Sequence, residues 1–327
     1  MNILNLPQLD DTPAEVDEKL SAEFQRFKII WENLSSKYNA IIVQNNFDAP
    51  CTQPEGNLDS FLPQSLSRFV ARLNEKFADY ATSHAGFYLN DINRLAAEVG
   101  LSRWHNRAQY HAYKFAMDYD IFPAVAKNLK RVICAALGRV KKCLVLDLDN
   151  TLWGGVIGED GVAGISLGNE TAEGEAYTEF QKYVKRLKNR GIILAVCSKN
   201  DEDVAKSGFS HPDSVLTLED FAIFLANWEP KNLNVAKISR ELNIGLDSLV
   251  FLDDSPAERE IVRKNLPEVA VPEIDSADVF SYIRALEAEG YFDTLAISAD
   301  DKRRGDFYRE NQNRIAAREN FIVVGGD

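Results

Sequence analysis

The second half of the chain shows a regular alternation of two hydrophobic patterns. From residue 143 onward, short and nearly continuous apolar runs alternate with segments whose apolar residues recur every three or four positions. Short continuous runs predict strands buried on both faces, and such strands separated by helices predict a parallel, doubly wound α/β sheet. The predicted strands cover residues 143–147, 192–197, 215–218, 248–253 and 269–273, and the predicted helices cover 173–189, 202–206, 231–242 and 257–264.

The first half mixes the same element types but offers few strands. Apolar residues at helical spacing predict a helix over residues 13–38, where Thr12 and Pro13 form a typical N-cap and first-turn pair. We therefore interpret residues 1–139 as a smaller, incomplete α/β region, 140–298 as the main α/β domain and 299–327 as a C-terminal helix and tail. The other elements predicted in the first half are strands at 41–47 and 87–91 and helices at 64–80, 91–99 and 121–137.

The charge and hydropathy of the chain argue against some classes of binding partner. The chain has 37 Lys and Arg residues against 50 Asp and Glu residues, so its formal charge is −13. This charge argues against sequence-independent binding of nucleic acid or of a lipid surface, since both need clustered positive charge. No apolar run approaches the roughly 20 residues of a membrane helix, and the N-terminus lacks an apolar signal-peptide core. We expect a soluble, cytoplasmic protein that binds neither nucleic acid nor membrane.

Two aspartates follow the first strong strand of the second half. Asp147 and Asp149 are two residues apart in extended chain, so both side chains can reach one cation and one substrate at the strand end. A hard cation such as Mg²⁺ takes one or two protein carboxylates together with phosphate oxygens. This arrangement suits Asp147 as a nucleophile toward phosphorus and Asp149 as the general acid and base.

Further polar residues follow the other predicted strands. Ser198, Lys199 and Asn200 offer donors for the phosphoryl oxygens that gain charge during transfer. Lys231 opens a helix, where its ammonium group can hold the same anion. Asp253 and Asp254 would complete the cation site. Each signal alone occurs often in solvated loops, but their order along one sheet, at the edge where such sheets bind ligands, favours phosphate chemistry.

These motifs resemble those of a known superfamily. Asp147-x-Asp149-x-Thr151, Ser198, Lys231 and Asp253-Asp254 are similar to the four motifs of the haloacid dehalogenase (HAD) superfamily, whose members form an aspartyl-phosphate with Mg²⁺. More particularly, LDLDNTLWGGVIGEDG, LAVCSKND, NWEPK and VFLDDSPAERE resemble the FkbH-like family. That family is associated with polyketide pathways and makes a glyceryl thioester on an acyl carrier protein from 1,3-bisphosphoglycerate.

The resemblance implies a role for each matched residue. Asp147 would be the nucleophile, and Asp149 would be the acid and base and would bind Mg²⁺ through its backbone. Thr151, Ser198 and Lys231 would hold the phosphoryl group, and Asp254, with Asp253 beside it, would bind the metal. The N-terminal region resembles the later part of the SGNH-hydrolase-like domain of family members. However, it lacks their Gly-Asp-Ser block, which argues against esterase activity.

The spacing of the motifs, the position of Cys197 and a basic helix indicate what kind of substrate and partner the site would accept. Residues 151–197 and 201–230 leave no room for a cap domain, so we expect a capless site that suits a carrier-tethered, phosphorylated three-carbon substrate. Cys197 is a candidate for a transient acyl thioester, although packing is the commoner role of such a cysteine. Basic residues of the helix at 173–189, among them Lys185, are candidates for docking an acidic carrier protein. The alternatives are a phosphomonoesterase acting on a small metabolite and a catalytically idle scaffold.

Overall fold

A computed structural model describes residues 2–295, so the helix and tail predicted at 299–327 lie outside the described residues. The chain divides into two compact units, and the boundary along the chain lies between Arg139 and Val140. Among the described residues, no helix combines the length and the apolar character that crossing a membrane requires.

The first unit is a small α/β assembly around a two-stranded parallel sheet. Its long first helix begins where predicted, because the Thr12 side chain and Glu15 bond each other's backbone N–H groups in a capping box. The structure also contains two short helices, α4 and α5, that the hydrophobic pattern does not reveal. The elements are α1 (Pro13–Tyr38), β1 (Ile42–Asn45), α2 (Leu66–Ser83), β2 (Phe87–Asn90), α3 (Ile92–Val99), α4 (Leu101–Trp104), α5 (Arg107–Tyr113) and α6 (Phe122–Ala136).

The second unit contains the parallel sheet predicted from the alternating pattern. Its four strands lie in the order β5-β4-β3-β6, and helices follow each strand in sequence. The elements are β3 (Cys143–Leu146), α7 (Ile157–Gly164), α8 (Ala172–Asn189), β4 (Ile193–Ser198), α9 (Glu202–Ser207), β5 (Ile223–Ala226), α10 (Lys231–Glu241), β6 (Leu249–Leu252), α11 (Pro256–Asn265) and α12 (Ser281–Ala288). Only α7 and α8 lie between β3 and β4, and only α9 and two single 3₁₀ turns lie between β4 and β5.

Both faces of this sheet are buried, which explains the continuous apolar runs of its strands. Leu144 and Leu146 face one core with residues of α8 and α12, such as Phe180 and Tyr282. Val145, on the opposite face, belongs to a second core with residues of α10 and α11. Alternate side chains of each strand therefore enter different cores, so a strand in this sheet has no solvent-facing side.

The predicted strand at 215–218 is wrong, and the true edge strand is β5 at 223–226. The N–H groups of Val215 and Leu216 donate to the side chain of Gln181 on α8, at 2.9 and 3.2 Å, rather than to a neighbouring strand. Thr217 then forms a capping box with Asp220 and starts a 3₁₀ turn. Short apolar runs predict burial, but the strand partner depends on which backbone reaches the sheet.

The predicted strand at 269–273 is reduced to a single bridge between Val250 and Ala270. Ala270 accepts a hydrogen bond from Phe251 and donates one to Leu249, at 2.9 and 3.1 Å. Two residues later Pro272 lacks a backbone N–H and cannot continue the ladder.

Candidate active site

Asp147 follows β3 directly and is buried at the carboxyl end of the sheet. Its Oδ2 lies 2.9 Å from Nζ of Lys231. Its Oδ1 is also buried but has no hydrogen-bond partner among the described residues. A buried carboxylate oxygen without a hydrogen-bond donor is energetically costly. We therefore expect a bound ligand to contact Oδ1 of Asp147.

Lys231 lies between two aspartates. It is the first residue of α10, after Pro230, and its buried Nζ lies 2.5 Å from Oδ2 of Asp253 as well as 2.9 Å from Asp147. Burial lowers the pKa of Lys231, but the charges of Asp147 and Asp253 outweigh this effect and raise the pKa above its ordinary value. The ammonium group therefore stays charged and links the ends of β3 and β6.

The backbone at Asp253 and Asp254 is held by a buried arginine one turn into α11. Nη1 of Arg259 donates to the carbonyl oxygens of both aspartates, at 2.8 Å each, and Nη2 donates to the carbonyl of Ile274 at 3.2 Å. The N–H of Asp254 donates to Oγ1 of Thr151 at 3.2 Å. These contacts orient the two carboxylates that follow β6.

Three carboxylates lie close enough to share one cation. Asp147, Asp253 and Asp254 each offer an oxygen, and these oxygens lie within 4.8 Å of one another. Burial and then the charge of Asp147 raise the pKa of Asp254, and the same causes raise that of Asp253 to about 7 although Lys231 opposes them. The three carboxylates carry more negative charge than the ammonium group of Lys231 can balance, and Oδ1 of Asp147 has no partner among the described residues. Both features fit a hard divalent cation, which binds oxygen ligands.

The carboxylate of Asp149 is not part of this group of three. Its Oδ1 accepts hydrogen bonds from Nε1 of Trp153 at 2.9 Å and from the N–H of Ile157 at 3.0 Å, and its Oδ2 accepts one from Nδ2 of Asn200 at 3.1 Å. Burial raises the pKa of Asp149, and these donors offset the rise only in part. A carboxyl group with a raised pKa keeps its proton to higher pH and can then give it to a leaving oxygen.

The residues at the end of β4 have more specific partners than the sequence indicates. Ser198 is the last residue of β4 and is buried. The ammonium of Lys199 lies 2.6 Å from Oε1 of Glu258, and the amide of Asn200 donates to Asp149, as described above. The structure therefore directs Lys199 and Asn200 to carboxylates, whereas phosphate binding by Ser198 and Thr151 stays a prediction.

Cys197 has the environment of a packing residue. It is completely buried in the core between the sheet and helices α10 and α11, and its thiol lies 3.8 Å from the carbonyl oxygen of Lys231. Burial raises the pKa of this thiol to about 12. Because the thiolate is the nucleophilic form, these facts argue against the acyl thioester suggested by its position at the strand end.

The basic helix suggested for carrier docking, α8, is partly engaged within the unit. Nζ of Lys185 lies 2.6 Å from both carboxylate oxygens of the buried Asp220, and Lys188 lies 3.4 Å from the same group. Lys185 therefore has an internal structural partner, which weakens its case as a docking residue.

Some contacts of the site have no signal in the sequence. The backbone of Asn150, directly after Asp149, has a positive φ of 52°. Its carbonyl oxygen accepts hydrogen bonds from the hydroxyl groups of Tyr177 on α8 and Tyr282 on α12, at 3.3 and 3.0 Å. The two tyrosines occur within apolar helical patterns and Arg259 within a charged helix, so only the folded chain brings them to this place.

Comparison with known proteins supports a phosphatase fold. No protein-family model and no curated protein matches the chain. A solved structure of the N-terminal part of the protein BF1531 from Bacteroides fragilis, which contains a phosphatase domain and is complexed with Mg, is 35% identical, with a TM-score of 0.80 over 88% of this chain and 75% of that one. UDP-GlcNAc 2-epimerase from Neisseria meningitidis, bound to UDP-GlcNAc, is 11% identical, with a TM-score of 0.22 over 96% of this chain and 84% of that one.

The similarity to the epimerase is too low to bear on fold or function. Similarity to the phosphatase-containing structure extends over most of both chains. By this relationship and by the motifs at its strand ends, the chain belongs to the HAD-like phosphatases.

Proposed function

We propose that this HAD-like phosphatase hydrolyses phosphate monoesters with Asp147 as the nucleophile and with Mg²⁺ bound beside it. The observation that carries the proposal is the unpartnered, buried Oδ1 of Asp147 beside two further carboxylates. The ammonium group of the buried Lys231 lies 2.9 Å from Oδ2 of Asp147, so a positive charge stands beside the oxygen atoms that would attack phosphorus.

The proposed reaction has two steps with one covalent intermediate. An oxygen of Asp147 forms a bond to phosphorus, and the bond from phosphorus to the alcohol oxygen breaks as Asp149 gives that oxygen a proton. Water then attacks phosphorus and gives a proton to Asp149, and the bond between phosphorus and Asp147 breaks. The products are the alcohol and inorganic phosphate, and both carboxyl groups return to their starting states.

Asp147 and Asp254 are the side chains best placed to hold Mg²⁺, with the backbone carbonyl of Asp149 as a further ligand. Asp253 lies in the same group of carboxylates, but its Oδ2 is paired with Lys231 and its Oδ1 accepts from the N–H of Ser255 at 2.9 Å. Bound there, Mg²⁺ would stabilise negative charge that develops on the phosphoryl oxygens. The structural relative that was crystallised with Mg supports this choice of cation.

Chelation is expected to abolish phosphate release and to leave the fold intact. EDTA would remove the cation, and added Mg²⁺ in excess would restore phosphate release from phenyl phosphate. Asp254→Asn should shift the Mg²⁺ concentration needed for half-maximal activity upward by about tenfold or more, since each carboxylate ligand contributes to affinity. Glu260→Gln, an exposed acid on α11, is the matched control. Full activity in EDTA would contradict the proposal.

The finer proposal concerns the substrate, and it rests on the FkbH-like sequence strings. In this proposal a carrier-protein thiol attacks the carboxyl carbon of 1,3-bisphosphoglycerate, and the acyl phosphate leaves as inorganic phosphate. The phosphate monoester that remains on the tethered three-carbon unit is then hydrolysed through Asp147. The short connections around α7, α8 and α9 support access by a tethered substrate. The burial of Cys197 favours acyl transfer straight to the carrier thiol.

Incubation with 1,3-bisphosphoglycerate and an acyl carrier protein tests the finer proposal. We expect the carrier to gain the mass of a glyceryl group with wild-type enzyme, and that of a phosphoglyceryl group with Asp149→Asn. Cys197→Ala should give the same product as wild type, since its thiol is buried. Phosphate release from free monoesters without any change in carrier mass would instead support the plain phosphomonoesterase, and no phosphate release at all would support an idle scaffold.

A further inference from the structure

We propose that Trp153 and Asn200 are positioning residues that fix Asp149 so that its Oδ2, and not its Oδ1, carries the transferred proton. This inference rests on the proposed function, in which Asp149 protonates the leaving oxygen. It assigns different roles to the two oxygens of one carboxyl group and names the residues that determine these roles.

Oxygen Oδ1 of Asp149 has no capacity left for a proton. Each carboxylate oxygen has two lone pairs, and Oδ1 already accepts from the indole N–H of Trp153 and from the backbone N–H of Ile157. Within the part of the chain that the structure describes, Oδ2 accepts one hydrogen bond, from Asn200. The second lone pair of Oδ2 is therefore the place where a proton can bind and from which it can leave.

The amide of Asn200 can present only its nitrogen to Asp149. Oδ1 of Asn200 accepts the backbone N–H of Asp201 at 2.9 Å, so this oxygen faces the start of α9. The nitrogen is thereby turned toward Oδ2 of Asp149, at 3.1 Å. Since Asn200 lies just beyond β4, it ties the carboxyl group that follows β3 to the neighbouring strand.

The indole of Trp153 has little freedom to move. Trp153 is completely buried, and a Cβ atom added at Gly208 would lie 2.7 Å from its ring, so the ring packs directly against that backbone. Phe209 contacts it edge-on, with 5.3 Å between ring centroids. Another large apolar side chain could fill the space that Trp153 occupies, but only the indole N–H can donate the hydrogen bond to Asp149.

The expected consequence is a defect that depends on the leaving group. Protonation matters most for an alkyl oxygen, which is strongly basic when it leaves, and least for 4-nitrophenolate, which leaves readily without a proton. A misplaced acid should therefore lower kcat/KM for an alkyl phosphate and leave that for 4-nitrophenyl phosphate nearly unchanged. The parameter kcat/KM is the proper measure, because the leaving group departs before the aspartyl-phosphate is hydrolysed.

The experiment compares Trp153→Phe and Asn200→Ala with wild type on 4-nitrophenyl phosphate, phenyl phosphate and glycerol phosphate. We expect kcat/KM for glycerol phosphate to fall about tenfold or more in each variant, the scale for losing one hydrogen bond to an ionisable group. For 4-nitrophenyl phosphate we expect less than about a threefold change. Asp203→Asn, which changes an exposed residue of α9, is the control and should leave kcat/KM unchanged on all three substrates.

A double-mutant cycle with Asp149→Asn separates positioning from packing. With the acid removed, adding Trp153→Phe should change kcat/KM by no more than about twofold on any substrate. An equal loss on all substrates, or a full Trp153→Phe effect in the Asp149→Asn background, would overturn the inference while leaving the phosphatase intact. Absence of activity in wild type, or a loss in Asp149→Asn that does not depend on the leaving group, would instead count against the proposed function.

Discussion

Replacing Asp147 by asparagine is expected to lower the rate of phosphate release by about 10⁴-fold or more, the scale seen when an enzyme loses its nucleophile. An amide oxygen is a poor nucleophile, so no covalent phosphoryl intermediate should form. Lys231 keeps Asp253 as a partner at 2.5 Å, and the shape of the side chain is retained, so the variant should fold. Phosphate release and mass spectrometry of the acid-quenched enzyme would measure the two effects.

The control for this experiment is Asp203→Asn, which changes an exposed aspartate on α9 and should retain wild-type activity. Thermal unfolding of both variants would separate a chemical defect from a folding defect. Turnover by Asp147→Asn within about tenfold of wild type would contradict the nucleophile assignment. So would a phosphoryl group attached to another residue.

The second large effect is expected on stability. Lys231→Met removes the charge that lies between Asp147 and Asp253 but keeps a side chain of similar length. Two buried carboxylates would then face each other without a counter-charge, which typically costs about 3–5 kcal/mol of unfolding free energy. Chemical denaturation in the presence of EDTA would measure this loss, and phosphate release should fall as well, because the positive charge beside the nucleophile is removed.

The loss in Lys231→Met should depend on pH in a defined direction. Burial and the charge of Asp147 raise the pKa of Asp253, and Lys231 opposes them, so without the ammonium group the pKa of Asp253 would rise further in the folded state. The folded variant would then bind more protons than the unfolded chain, so the stability deficit should shrink as pH falls below that raised value and grow as pH rises toward it. In the wild-type protein, burial and Asp147 already raise the pKa of Asp253 to about 7.

Lys237→Met is the matched control, because Lys237 is an exposed lysine of the same helix, α10, 3.9 Å from Glu241. An exposed pair of this kind contributes at most about 1 kcal/mol. If Lys231→Met and Lys237→Met had the same unfolding free energy at neutral pH, the buried ion pairs would have no net structural role.

Much of the fold follows from local patterns in the sequence. The N-cap pair Thr12 and Pro13 and the alternation of apolar runs with amphipathic segments gave a correct helix start and, apart from its edge strand, a correct parallel sheet, because both signals depend on neighbouring residues. The pattern failed at 215–218, where a distant side chain, Gln181, takes the hydrogen bonds that a strand would have needed.

Part of the candidate site could also be predicted from the sequence, and part could not. Aspartates at the ends of β3 and β6 were expected to lie together, and Asp147, Asp253 and Asp254 do lie within reach of one cation. The ends of adjacent parallel strands are near neighbours, so placing a residue at a strand end also places it at the site. By contrast, the donors to Asp149 and the arginine behind Asp253 cannot be read from spacing.

By itself, the sequence determined the parallel class of the sheet, its strands β3, β4 and β6 and the acidic character of the edge where they end, since these follow from periodicity and strand position. Tertiary structure alone decided that Oδ1 of Asp147 has no hydrogen-bond partner within residues 2–295, that Cys197 is buried and that Trp153 and Asn200 bind opposite oxygens of Asp149. The physical reason is that burial and hydrogen-bond direction depend on side chains brought together from distant parts of the chain.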